Sequence, residues 1–269
     1  MEHLNFCRQM VKQFTKSISS HGFHKLNKEI LSHNIDLANK SQKFILPDGG
    51  LLYDDPEYKA LDESEELHLP YSIIALEYTR NNIPTNQGEE KSSKAILFVR
   101  ENDDSIVLSP IAWIDRLAVW APLPEAGIPK IDYLDRSMLP SKGYPAIKLY
   151  LANENISISD YANEARVLLC FLNVLHCNNV HIERSESKKS SRLIKPAIKF
   201  DAYHFLTIDA LKKANKVSDV QTFGNHRSPR EHLRRGHIRR LEDGRRIWVK
   251  ATVVASGSAG VISKDYAFK

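Results

Sequence analysis

Apolar residues recur at helical spacing at Phe6, Met10, Phe14 and Ile18, stop at His21-Gly22, and resume at Leu26, Ile30 and Leu37. This pattern predicts a helical hairpin over residues 4–40. Its histidines (His3, His21, His24, His33) stand among polar residues and read as solvated surface groups. Phe44-Ile45-Leu46, followed by Pro47-Asp48-Gly49-Gly50, predicts a short strand ending in a turn. An acidic, proline-punctuated stretch over residues 54–66 follows and reads as a loop or short helix, solvated or in contact with the basic tail described below.

From Leu67 the period shortens. Leu69 to Tyr78 is a β-branched and aromatic run that ends on an acid, and the polar insert Asn81 to Ser93 reads as a long loop. Lys94 to Arg100 and Ser105 to Trp113, joined by Glu101-Asn102-Asp103-Asp104, predict a hairpin of two buried strands, which Leu117 to Pro122 extends into a meander. Proline and glycine then recur between Pro122 and Pro145, the mark of irregular connecting structure.

The clearest helix opens at Ser159. Tyr161, Ala165, Leu168, Leu169, Leu172 and Leu175 form its buried stripe, and Asn178-Asn179 closes it. A strand at Val180 to Glu183 follows. The basic, serine-rich segment Arg184 to Lys195 reads either as part of an anion-binding face or as a solvated loop. Ile198 to Ile208 predicts a strand, and Asp209 to Lys213 the start of a short helix.

Helices at the start and in the 160s around a β-rich middle, without alternating βαβ units, predict an α+β fold: a mostly antiparallel sheet, N-terminal helices and one central amphipathic helix. The expected organisation is an N-terminal helical region over 1–45, an α+β core over 46–215 and a basic C-terminal module over 225–269 packed on that core. Neither a P-loop nor a dinucleotide-binding glycine pattern is present, so no cofactor is expected. The start of the chain lacks the features of a secretory signal and no apolar run reaches 18 residues, so a cytoplasmic protein without membrane association is expected. Cys7, Cys170 and Cys177 are an odd number with isolated spacing, which fits reduced thiols in a core.

Charge changes the picture near the C-terminus. The window from His226 to Lys250 holds eight arginines and one lysine against three acids, a net +6 where the whole chain carries +5. Ser228-Pro229-Arg230-Glu231 has the form of a capping box with proline at the first helical position, and Gly236 suits a helix end. A two-turn helix over Pro229 to Arg235 is therefore predicted, with Arg230 and Arg234 on one face. Beyond it a hairpin turns at Glu242-Asp243-Gly244. A four-residue loop, Leu241 to Gly244, would set Arg240 opposite Arg245 and sort the strands into an apolar face (Ile238, Ile247, Val249) and an exposed face of His237, Arg239, Arg246, Trp248 and Lys250.

Guanidinium forks bind phosphate oxygens bidentately, and an exposed indole stacks on an unpaired base. The expected function is thus nucleic-acid binding, RNA or DNA, with Arg227, Arg230, Arg234, Arg235, Arg239, Arg246, Trp248 and Lys250 on the phosphate backbone. Two other readings stay open. His232 and His237 beside Arg239 supply the base, acid and cation that metal-independent RNA cleavage needs, and the same basic face suits an acidic host protein. A zinc site from His226, His232 and His237 is disfavoured by the surrounding arginines and by spacing that matches no ligand pattern, so no metal is expected.

The run Pro229 to Arg240, with Gly244 to Val249 and Val253-Val254, resembles a C-terminal signature of uncharacterised proteins encoded by phages and prophages. Leu69-Pro70-Tyr71 through Glu77-Tyr78, Gly260-Val261 and Lys264-Asp265-Tyr266 are similar to the same group. The resemblance implies a mobile-element origin and brings no activity with it.

Overall fold

The computed structural model describes residues 4–20, 25–53, 66–80, 93–135, 146–151, 161–185, 202–208, 232–234, 237–249 and 252–254. Among them, helices α1 (Phe6–Ser19) and α2 (Lys25–Lys40) lead into strands β1 (Gln42–Ile45), β2 (Ile73–Thr79), β3 (Lys94–Glu101), β4 (Ser105–Ile114), β5 (Val119–Pro122), β6 (Ala126–Pro129), β7 (Leu134–Asp135), β8 (Ala146–Ile147) and β9 (Tyr150–Leu151). Helix α3 (Ala162–Leu175) follows, then β10 (Val180–Arg184), β11 (His204–Ile208), β12 (His232–Arg234), β13 (His237–Arg240), β14 (Arg246–Val249) and β15 (Thr252–Val254).

The fold is mixed α/β around a mostly antiparallel sheet in the order β10-β11-β1-β2-β3-β4-β6-β9, with β5 also on β4. Strand β1 is the exception, because it runs parallel to both β2 and β11. Period-2 alternation divides the apolar side chains between two layers. Phe44, Leu76, Leu97, Val99 and Leu108 point to one face, where Leu168, Phe171 and Leu172 of α3 cover them. Ala75, Ile96, Phe98 and Ile111 point to the other, under Phe6, Met10 and Phe14 of α1 and Leu37 of α2. The expected helical hairpin, the β3–β4 hairpin and the central helix thus form, and both faces of the sheet are covered.

Where irregular structure is expected after Pro122, the chain forms β6. The long strand β4 accepts β5 along Ile111–Ile114 and β6 along Ser105–Leu108. Between them Glu125 returns over the sheet. It accepts a bond from Ser109 Oγ at 2.6 Å and a two-pronged pair from Arg100 at 2.8 and 3.2 Å. Proline at the end of each short strand concealed this pairing from a composition reading. The Pro47–Gly50 turn forms as expected. Gly50 has φ +76°, and a Cβ there would stand 2.8 Å from Val167 Cγ2, so the turn rests directly on α3. At the neighbouring end of β2, Arg80 pairs with the buried carboxylate of Glu164 at the start of α3.

The acid that ends the apolar run of β2 is Glu77, which is fully buried on the α1 side of the sheet. Its carboxylate accepts the amide N–H of Phe6 at 2.8 Å, that of Cys7 at 2.9 Å and the hydroxyl of Tyr203 at 2.9 Å. Asn5, the residue before α1, has a left-handed backbone and makes no side-chain cap, so the helix receives its N-terminal acceptor from a strand seventy residues away. Burial pushes the Glu77 pKa upward, while the three donors oppose that rise. Removing the carboxylate strands two buried amides and a hydroxyl. Glu77→Ala should cost about 3 kcal/mol in urea denaturation, and Tyr203→Phe about 1 kcal/mol. A Glu77→Ala protein as stable as wild type would contradict this assignment.

His204 completes a triangle with the rings of Phe44 and Tyr71, at centroid distances of 5.2 and 5.3 Å, and is 6% exposed. Burial, with Arg184 nearby, lowers its pKa from the ordinary 6.5. A group depressed in the fold adds stability that is complete above its unfolded pKa and is lost as pH falls through the folded value. Wild type should therefore lose stability as pH falls below about 6.5, and His204→Phe, which keeps the ring packing, should flatten that limb in pH-resolved melts.

Candidate nucleic-acid interface

The basic hairpin is built from β13 and β14. Its register pairs His237 with Val249, Ile238 with Trp248, Arg239 with Ile247 and Arg240 with Arg246. Arg240 therefore opposes Arg246 in place of the expected Arg245, and Leu241 N donating to Arg245 O carries the ladder one step further, so that Glu242, Asp243 and Gly244 form a three-residue loop instead of the expected four. The physical reason is Gly244, whose left-handed backbone makes the bulge that a three-residue loop needs. The Asp243 carboxylate braces it, accepting the Arg245 backbone N–H at 3.1 Å and Nε at 2.7 Å. Gly244 at φ +83° and the bonds Leu241 N to Arg245 O (2.8 Å) and Gly244 N to Leu241 O (3.0 Å) complete the turn.

A one-residue slip turns every side chain of one strand over. The predicted separation into an apolar and a cationic face is thus replaced by two mixed faces. One carries Ile238 and Trp248 and, further out, Arg240 and Arg246; the other carries His237, Arg239, Ile247 and Val249. Trp248, expected on the exposed face as a stacking platform, is instead 6% exposed. It packs with Cys170, Val174 and Cys177 at the end of α3, with Tyr53, and with Val180, Leu206 and Ile238 around them. Its indole Nε1 has no hydrogen-bond partner, so the ring is held by apolar contact.

Polar groups hold the outer edge of β14. The Asn179 amide donates to Trp248 O and accepts from Trp248 N, each at 2.9 Å, and so imitates one more residue of a neighbouring strand. Arg246 O accepts from Asn178 N at 2.8 Å, and Arg246 N donates to Asn178 Oδ1 at 3.0 Å. The two asparagines that end the helical pattern at α3 thus also dock the hairpin. Burial raises the Cys177 thiol beneath it to about 11, against a smaller opposing effect of Arg246. It stays protonated near neutrality, as a core thiol should. Cys7 and Cys170 are buried thiols as well.

Arg239, Arg240 and Arg245 are exposed and Arg246 is half-buried, so four guanidiniums gather at the outer end of one hairpin. Arg245 is paired with Asp243 at 2.7 Å, but both side chains are more than half exposed. Such a pair is weak and exchangeable for another anion. Within the predicted helix over Pro229 to Arg235, His232–Arg234 form β12, antiparallel to β15, with His232 opposite Val254 and Arg234 opposite Thr252. The capping box from Ser228 to Glu231 lies outside the described residues. His232 and His237 accordingly stand in two separate ladders. Arg227, Arg230, Arg235, His226 and Lys250 lie outside the described residues, as do the acidic stretch from 54 to 65, the insert from 81 to 92 and the basic segment beyond Ser185.

Sequence reasoning missed Asn178, Asn179 and the inward role of Trp248. Trp248 carried a signal, since it sits between Ile247 and Val249 in an apolar triplet; its polar partners are 69 residues away and carried none. Among the described residues, no three His, Cys, Asp or Glu side chains converge as a metal site requires, and no helix is long and apolar enough to cross a membrane. Comparison with protein-family models, with curated proteins and with solved structures finds no match for the chain.

Packing and polar contacts contribute separately to the docking of the hairpin. Trp248→Ala should cost about 3–5 kcal/mol, whereas Trp248→Phe, which leaves no indole donor to satisfy, should cost markedly less. Asn179→Ala strands a buried amide and carbonyl and should cost about 1–3 kcal/mol, with faster amide exchange at Trp248. Unchanged exchange at Trp248 in Asn179→Ala would show that the clamp contributes nothing.

Proposed function

We propose that the protein binds nucleic acid, with the outer end of the β13–β14 hairpin on the phosphate backbone. The observation that carries this reading is the gathering of Arg239, Arg240, Arg245 and Arg246 at one end of a hairpin whose other end is packed into the core. The guanidinium fork matches phosphate oxygens, and the exposed pair of Arg245 with Asp243 exchanges readily for such an anion. The rest of the chain is close to neutral, so the field is local to this module. Arg227, Arg230, Arg234, Arg235 and Lys250 are proposed as further phosphate contacts.

Fluorescence anisotropy with labelled nucleic acid at increasing salt tests the proposal. The logarithm of the affinity should fall with the logarithm of salt with a slope of about −3 or steeper. Arg239→Ala should reduce that slope by about 1 while weakening all sequences alike. Absence of binding at low salt, or an affinity indifferent to salt, would remove the proposal; capture of an acidic protein that survives nuclease treatment would favour the host-protein reading in its place.

A further inference from the structure

We infer that helix α1 is a second surface for the phosphate backbone, formed by the exposed row of Arg8, Lys12 and Lys16. This rests on the nucleic-acid reading above but on residues apart from the hairpin. Outside the C-terminal module the charges sum to nearly zero, yet they are unevenly spread. Helix α1 holds three cations and no acid in its 14 residues. The cations stand at i, i+4 and i+8, so they line one face over about 12 Å of helix. All three are exposed.

Like charges four residues apart destabilise a helix. The neighbouring helix α2 shows how this protein treats a helix face that is merely solvated. There Lys25 pairs with Glu29 at 3.9 Å and Lys40 with Asp36 at 2.7 Å, each across one turn. Helix α1 has no acid at any position that could do the same, and Lys12 and Lys16 make no ion pair among the described residues. The row is kept against local preference, and an anion bound along it supplies the compensation that the sequence omits.

The remaining side chains decide the kind of anion. The opposite face of α1 is committed to the core, where Phe6, Cys7, Met10 and Phe14 are buried under the sheet. A helix that lies on a lipid surface sinks an apolar face into it, and α1 has none left to offer. Beside the cations stand Gln9 and Thr15, exposed and neutral. Amides and hydroxyls next to lysine and arginine are the groups that hold phosphate and sugar oxygens without reading sequence. The partner this face fits is therefore a polymer of phosphates. Helix α1 covers one side of the sheet, and α3, which carries the hairpin, covers the other. The two surfaces are thus separate, and their contributions should add.

The test uses the full-length protein with labelled DNA and RNA oligonucleotides, titrated by anisotropy across a range of salt. Lys12→Gln/Lys16→Gln should flatten the dependence of log affinity on log salt by about 1.5–2, close to one per cation removed. Its melting temperature should equal or exceed that of wild type, since a repulsion goes and no packing is lost. Lys25→Gln/Lys40→Gln removes the same charge from α2 and should leave the slope nearly unchanged. Arg239→Ala should lower the slope equally in wild type and in the α1 variant. An α1 variant whose slope is unaltered, or matches that of the α2 control, overturns the assignment and leaves the hairpin reading standing. A lower melting temperature overturns it as well, because the row then serves the fold. Sedimentation with phosphatidylcholine–phosphatidylserine vesicles that is lost in the α1 variant, with nucleic-acid binding intact, assigns the row to a membrane instead. An effect of the α1 variant without one of Arg239→Ala removes the hairpin reading and keeps this one, and no binding to either probe at low salt removes both.

Discussion

The carboxylate of Glu77 is the point at which the two halves of this fold become one. A carboxylate on the covered face of a sheet is costly unless its oxygens are saturated with donors, and here the first turn of α1 and the Tyr203 hydroxyl saturate them. The converse also holds. The first amides of α1 find no acceptor in their own flanking residues, because Asn5 is turned into a left-handed conformation without a side-chain cap. Each element therefore lacks a partner that only the other supplies, and the α1 layer seats in one orientation over β2. The same atom set reaches Tyr203, just before β11, and so ties the parallel strand β1 and its neighbours β2 and β11 into one register.

The hairpin is held by a smaller version of the same device. Asn179 satisfies the backbone of Trp248 as Glu77 satisfies that of Phe6 and Cys7, through a polar side chain that supplies a distant segment with missing hydrogen bonds. Packing of Trp248 against α3 then fixes which end of the hairpin is core and which is solvent. The placement of the arginines follows from that choice. The four arginines beyond the packed end therefore stand on a short element whose aim is set by the core.

Much of the architecture was legible in local pattern. Helical spacing marked α1, α2 and α3, and β-branched runs marked β2, β3 and β4, because each signal lies within a dozen residues. What failed did so where distant partners decide. Strand β6 depends on the free half of β4; β12 depends on β15; the hairpin register, held where Trp248 reaches α3, sets the face of every residue in β14. Glu77 was visible as an acid ending an apolar run, but its role needs Phe6 and Tyr203 in view. The candidate site was legible as a charge excess. Its geometry was not, since Trp248 was expected among the exposed cations and lies in the core.

Amide hydrogen exchange of the full-length protein, with and without nucleic acid, addresses the central claim most directly, because it reports where the ligand sits without altering a residue. Protection should rise at residues 239–246 on addition of nucleic acid, while the amides of β2 and β3, already buried, stay unchanged. Binding that leaves the exchange of residues 239–246 unaltered would contradict the account.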